Sequence, residues 1–229
     1  NIQRDDLYQH YQIFYKPGNA VLAAAGDFDA QEMLQRIREI YGRIPPGYSG
    51  SNKIPPEPIT ESEKRVEIHG PGETTYLEIA YHAPEASHPD FFAFTILDSL
   101  LTGPSNLNMF GSGGISNRTS RLYRSLIESD QAVSIHGGIQ ATIDPYLYGI
   151  EVTVHPKSSI EKVLETLDSN IEILQSEKVT DHEIARAVKQ ARALFAYGTE
   201  NITNQAFWLC YAEMFASYDW FMNYLEKIE

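Results

Sequence analysis

Residues 10–28 read HYQIFYKPGNAVLAAAGDF, and the order of their elements constrains everything that follows. Residues 3–14 place Leu7, Tyr11 and Phe14 at helical spacing, and Pro17-Gly18-Asn19 ends the run with a turn. Ala20–Ala25 is uninterruptedly apolar, the pattern of a strand buried on both faces, and Gly26-Asp27 breaks it. An apolar strand without neighbours is aggregation-prone, so 20–25 is expected in the main sheet, within its own chain or by exchange in a homodimer. Asp29 is placed to cap a helix over 30–41, with Met33, Leu34, Ile37, Ile40 and Tyr41 on one face. Gly42–Ser62 carries five prolines and three glycines without periodicity. The expected organisation is a closing helix-strand-helix of an upstream domain in 1–45 and a linker at 46–63. A second α/β domain follows in 64–229, lacking its own final helix and strand.

In the second domain, Arg65–His69 and Tyr76–His82 alternate with period two and predict a pair of strands. Pro89 followed by Phe91, Phe94, Leu97 and Leu101 predicts a core-facing helix. A Gly/Asn/Ser loop covers 102–116, with a helix from about Asn117 to Glu128. Ala132–Gln140 and Leu147–His155 form a second strand pair around Asp144-Pro145. Helices are predicted over 159–175, 180–197, 202–215 and 218–228, with Thr180 and Glu183 as a capping box. The fold class is α+β: an antiparallel or mixed sheet packed against several helices.

The chemistry is defined as much by what is missing. Neither HExxH nor its inverse HxxEH occurs; His182-Glu183 begins HEIAR, with Arg186 where a second zinc ligand would stand. Pro84 and Pro89 place His82 and His88 in a loop, so no metal is expected in this chain. A GxSxG elbow and a Walker loop are also absent. The formal charge of −13 disfavours nucleic acid and anionic membranes and mildly favours basic peptides, and it reads first as an ordinary acidic surface rather than a steering field. No run of about 18 apolar residues is present. The polar first residues show no signal peptide, giving a cytoplasmic expectation. The single Cys210, among Phe207, Trp208 and Tyr211, reads as a structural thiol.

The most unusual segment is Gly103–Thr119, GPSNLNMFGSGGISNRT. Gly111, Gly113 and Gly114 permit positive φ and close backbone approach to a ligand. The N–H groups of the helix after it are placed to meet an anion or a peptide carbonyl, the alternative being a plain surface loop that joins two helices. Arg121, between Ser120 and Leu122, reads as half of an internal ion pair. Phe91, Phe92, Phe94, Phe207, Trp208, Phe215, Trp220 and Phe221 read as core or inter-domain contacts.

The stretch LDSLLTG…SNRTSRLYRSL resembles the second-domain signature of the pitrilysin/insulinase-type zinc metalloendopeptidases, which include mitochondrial-processing-peptidase-like proteins. Tyr15-Lys16-Pro17-Gly18-Asn19 and Ala25-Gly26-Asp27-Phe28 resemble the close of that family's first domain, and Pro156-Lys157 and Val179–Ile184 fall in its order. The resemblance implies a fragment of a zinc-dependent peptidase that shapes a peptide-binding cleft and is inactive alone. The HxxEH zinc site would lie upstream, so zinc belongs to the parent protein. Gly111, Gly113, Gly114, Ser120 and Arg121 are the implied substrate-binding residues, with no catalytic residue and no metal ligand. The implied partners are a peptide, the parent's first domain and a homologous subunit. An arginine and tyrosine that many members place after the Ser-Arg-Leu-Tyr run fall here on Ile127 and Ser134. The alternative is a noncatalytic peptide-recognition or scaffolding subunit of a heterodimeric processing peptidase, whose glycine-rich loop this one resembles.

Overall fold

A computed structural model of the chain describes residues 2–47, 55, 58, 60, 62–104 and 117–229. These fall into two compact units, Asn1–Gly72 and Glu73–Glu229.

The first unit contains helix α1 (Arg4–Phe14), a one-turn 3-10 segment at Pro17–Asn19 and helix α2 (Ala30–Tyr41). Both α-helices lie where the periodicity places them, and the Asp29 carboxylate accepts from the N–H groups of Gln31 and Glu32 as the predicted cap. The within-chain form of the expectation for 20–25 is overturned: in this single chain the run is in no strand and in no sheet of the described residues, and Leu22 is 53 % exposed. A strand needs a ladder, and this unit has no other described strand to supply one. Arg65–His69 is corrected in the same way. It alternates correctly, yet Val66 is 82 % and Ile68 88 % exposed and the run is not a strand.

The second unit is built on an antiparallel sheet of β1 (Tyr76–Ala83), β2 (Ala132–Ile139) and β3 (Tyr146–Val154), in the order β1-β3-β2. Strand β1 therefore pairs with β3, with Ile79 opposite Ile150, rather than with residues 65–69. Period-two alternation sends Tyr148, Ile150, Val152 and Val154 of β3 into the core, whereas Glu151 is exposed. Among the described residues six α-helices and a π-helical segment at Tyr123–Ile127 complete the unit, the α-helices being α3 (Phe91–Leu101), α4 (Ile160–Ser176), α5 (Asp181–Gly198), α6 (Ile202–Phe215), α7 (Tyr218–Met222) and α8 (Tyr224–Lys227). Asn223 divides the expected helix 218–228 into the last two.

Helix α3 packs on β2 and α5, and the aromatic residues of α3 and α5 through α8 close the core. Trp220 is central: its ring lies 4.9 Å from Phe215 and 5.7 Å from both Phe91 and Phe92, and its Nε1–H donates to Ala86 O at 2.8 Å. Burying side chains of this size stabilises by about 1.5–3 kcal/mol each, so this cluster is a main source of the unit's stability. Cys210 is half-buried in α6.

Candidate functional site

The site candidates gather around the segment that leaves α3 and returns to β2. Gly111, Gly113 and Gly114 lie outside the described residues; what the structure shows is how the two stems of their loop are held. On the outgoing side, α3 ends when the Thr102 and Gly103 N–H groups both donate to Asp98 O. Gly103 has φ +97°, and the position of a Cβ there is taken by Asn117, so the two stems touch. Beneath them the Asp98 carboxylate is 1 % exposed, and its Oδ1 accepts from Thr102 Oγ1 at 2.6 Å and from the Tyr148 hydroxyl at 3.0 Å. Burial, then the neighbouring Asp98 charge, pushes the Tyr148 phenol well above its ordinary range, so it stays a donor.

On the return side, three side chains bind the stem to the scaffold. Asn117 Nδ2 donates to Ile135 O of β2 at 3.4 Å, and Gln190 Nε2 of α5 donates to Thr119 Oγ1 at 3.3 Å. Arg121 donates to Glu183 Oε1 of α5 through Nε at 3.2 Å and Nη2 at 3.0 Å. The other oxygen, Oε2, accepts from the Thr180 N–H at 3.2 Å and hydroxyl at 2.9 Å, which completes the predicted capping box. Burial raises the Glu183 carboxyl, but the Thr180 hydrogen bonds and Arg121 outweigh it and hold the group below its ordinary value. Arg121 is thus an internal ion-pair residue, as its sequence setting suggests.

Ser120 is 1 % exposed, and its Oγ accepts from the Tyr123 N–H at 3.4 Å. The helix expected from Asn117 begins only at Arg121 and becomes π-helical over Tyr123–Ile127. Its widened turn shows in Glu128 N–H donating to Tyr123 O and Gln131 N–H to Leu126 O. The N–H groups attributed to a helix starting at Asn117 are therefore not arranged as one: the Ser120 N–H donates back to Asn117 O. Asn170 and Thr166 of α4 tie down this turn through Ser125 Oγ and Gln131 Oε1, contacts that no local sequence pattern signals.

Ile127 ends the π-helical turn, half-buried against the core, and Ser134 lies on β2 with its hydroxyl donating to Thr153 Oγ1 at 2.9 Å. Neither carries a charge with which to stabilise an oxyanion. His82 stands on β1 rather than in a loop, while His88 precedes α3 with its Nδ1 accepting from the Asp90 N–H. Among the described residues, no three His, Cys, Asp or Glu side chains converge as metal ligands, so those residues do not fit a zinc ion.

A family profile described as the peptidase M16 inactive domain matches residues 1–191. The chain belongs to the peptidase M16 family. This bears out the resemblance read from the Ser-Arg-Leu-Tyr segment, and the α+β class with it. The M16 chain is 26 % identical over 194 residues to the bovine mitochondrial-processing peptidase subunit beta, covering 82 % of this chain and 37 % of that protein. It is 25 % identical over 201 residues to an uncharacterised zinc protease of Streptomyces coelicolor, covering 86 % and 41 %. The M16 chain thus spans about two fifths of the length of these relatives. In fold, it resembles a protease from Helicobacter pylori with a TM-score of 0.78 at 17 % identity, over 100 % of this chain and 53 % of the other. It also resembles a peptidase M16 inactive domain from Pseudomonas fluorescens, with a TM-score of 0.68 at 18 % identity, over 99 % and 50 %. Zinc therefore belongs to the relatives by name, and no helix of the described residues is long and apolar enough to cross a membrane.

Proposed function

We propose that this M16 chain shapes the peptide-binding cleft of a zinc metalloendopeptidase and performs none of the bond cleavage itself. The supporting observation is the fixed return stem, in which Asn117, Thr119 and Arg121 are bound to β2 and α5 at three successive points. A stem anchored in this way need not be ordered anew each time a peptide binds. In this reading Ser120 and Arg121 act by positioning, and Gly111, Gly113 and Gly114 approach the peptide backbone. Hydrolysis requires a zinc-bearing HxxEH domain or subunit, the partner that supplies the metal and activates water. Cytoplasmic residence is part of the same proposal.

The test is reconstitution. The purified 229-residue chain should leave a fluorogenic peptide uncut with zinc present, and cleavage should appear when the HxxEH-bearing domain of the same parent is added. Equal cleavage by that domain alone would overturn the cleft-shaping role. If the parent lacks HxxEH altogether, the noncatalytic recognition or scaffolding subunit replaces this reading. The resemblance to a processing-peptidase subunit supports that second reading.

A further inference from the structure

Two consecutive helices of the second unit carry opposite charge on their solvent faces. In α5, Ala187, Ala191 and Leu194 are buried, and the opposite side of the helix holds His182, Arg186 and Lys189. Spacing of four and then three residues sets these three in one line, and no carboxylate side chain occurs between Ile184 and Thr199. In a chain with 18 Lys and Arg against 31 Asp and Glu, this line is a local reversal of sign.

Helix α4 is its counterpart. Val163 and Leu167 are buried, while Glu165, Asp168 and Glu172 stand exposed on the far side. Asp168 and Glu172 are four residues apart, so their like charges repel along the helix. Spacing of three and then four residues makes this line the α5 line read backwards. Laid antiparallel, two such helices bring Glu165 opposite Lys189, Asp168 opposite Arg186 and Glu172 opposite His182, because both rise about 1.5 Å per residue. In the same register Ser169 faces Ala185, and side chains this small let the backbones come close. Within one chain α4 lies against the π-helical segment and α5 against α3. Both lines stay at the surface, with Arg186 half-buried and the other five residues exposed.

We propose that α5 of one copy of this chain docks antiparallel on α4 of a second copy. Each chain carries both lines, so a two-fold axis repeats the contact, with α4 of the first copy meeting α5 of the second. Charge complementarity selects a second copy, because this chain itself holds the matching line at the matching spacing. The net charge of −13 on each copy opposes the encounter at low salt. At about 0.1 M salt the Debye length of about 10 Å screens that repulsion, whereas pairs in contact are screened less. The inference goes beyond the peptidase reading, since it requires neither zinc nor a peptide.

The experiment is sedimentation equilibrium of the purified 229-residue chain at about 0.1 M salt, with two charge-reversed variants. One variant carries Arg186→Glu and Lys189→Glu, the other Glu165→Lys and Asp168→Lys. The expected result is a reversible dimer of the parent chain and a dissociation constant raised about tenfold or more in each variant alone. Mixing the two variants should restore the parent value, since the acidic α5 of one then meets the basic α4 of the other. This pattern separates pairing from overall charge: the second variant is less acidic than the parent, so relief of net repulsion alone would tighten its association. A parent chain that stays monomeric up to about 1 mM would overturn the proposal. So would variants that dimerise as the parent does, or a mixture of folded variants that stays monomeric. A check that needs no variant is carbodiimide coupling of parent chains mixed with isotope-labelled ones. It should join Lys189 of one isotope to Glu165 of the other, and coupling confined to single chains would also overturn the proposal.

Discussion

Arg121 and Glu183 are 62 residues apart in sequence, yet both nitrogens that Arg121 uses, Nε and Nη2, meet the one oxygen Oε1. The division of labour on this carboxylate is clean, because Oε2 serves the start of α5. One acidic group therefore joins a helix cap to the Ser-Arg-Leu-Tyr segment.

The first prediction is an energetic coupling between these residues. Their side chains are 21 % and 22 % exposed, so the pair should exceed a fully solvated one and fall short of a buried one. A double-mutant cycle with Arg121→Ala and Glu183→Ala, read by urea denaturation, should give about 1 kcal/mol of coupling. Glu183→Ala should cost more than Arg121→Ala, because it also removes the cap. Strictly additive single effects would show that the ion pair is energetically idle.

The depressed Glu183 carboxyl gives a pH dependence with a definite sign. A carboxylate held below its unfolded value stabilises the fold above that value, and the contribution is lost as pH falls through the lower, folded one. The stability gap between the parent chain and Glu183→Gln should be full near neutrality and shrink on acidification below the ordinary glutamate value of 4.5. Denaturant midpoints taken across that range would test this, and a gap that widens toward acid would contradict it.

The buried Asp98 predicts a graded series. Asp98→Ala leaves the Thr102 and Tyr148 hydroxyls without this acceptor and should cost about 3 kcal/mol. Asp98→Asn keeps an acceptor and should cost less, and Tyr148→Phe only about 1 kcal/mol. Chemical denaturation ranks the three, and an Asp98→Ala chain as stable as Tyr148→Phe would refute the assignment.

At Gly137 the limit is space. A Cβ there would overlap the Thr102 side chain, so Gly137→Ala should destabilise by about 1–3 kcal/mol. Adding Thr102→Ala removes both the hydroxyl and the methyl that occupy this space, and should restore part of the loss, less the cost of the hydrogen bond to Asp98. No recovery in the double variant, judged by thermal unfolding, would place the strain elsewhere.

Local signals were legible wherever the chain satisfies itself locally. Thr180 and Glu183 announce their capping box because both partners lie within one turn, and Asp29 does the same for α2. The spacing of Phe91 and Leu101 likewise locates a helix whose burial is decided by its own periodicity. Strand identity depends on distant neighbours, so 20–25 and 65–69 match strand patterns without becoming strands. The π-helical turn was invisible for a similar reason, since its supports, Thr166 and Asn170, come from α4. At the candidate site the Arg121 ion pair could be anticipated, but its partner could not be named from spacing alone.

The aromatic cluster supplies an internal optical probe. The only two tryptophans, Trp208 and Trp220, are both buried in the second unit, with Trp208 stacked on Phe221 at 5.9 Å. Residues 1–72 hold tyrosines instead, including Tyr8, Tyr11 and Tyr15 on or beside α1. Tryptophan emission therefore follows the melting of residues 73–229 alone, and a far-ultraviolet circular dichroism transition at another temperature would reveal the first unit unfolding on its own.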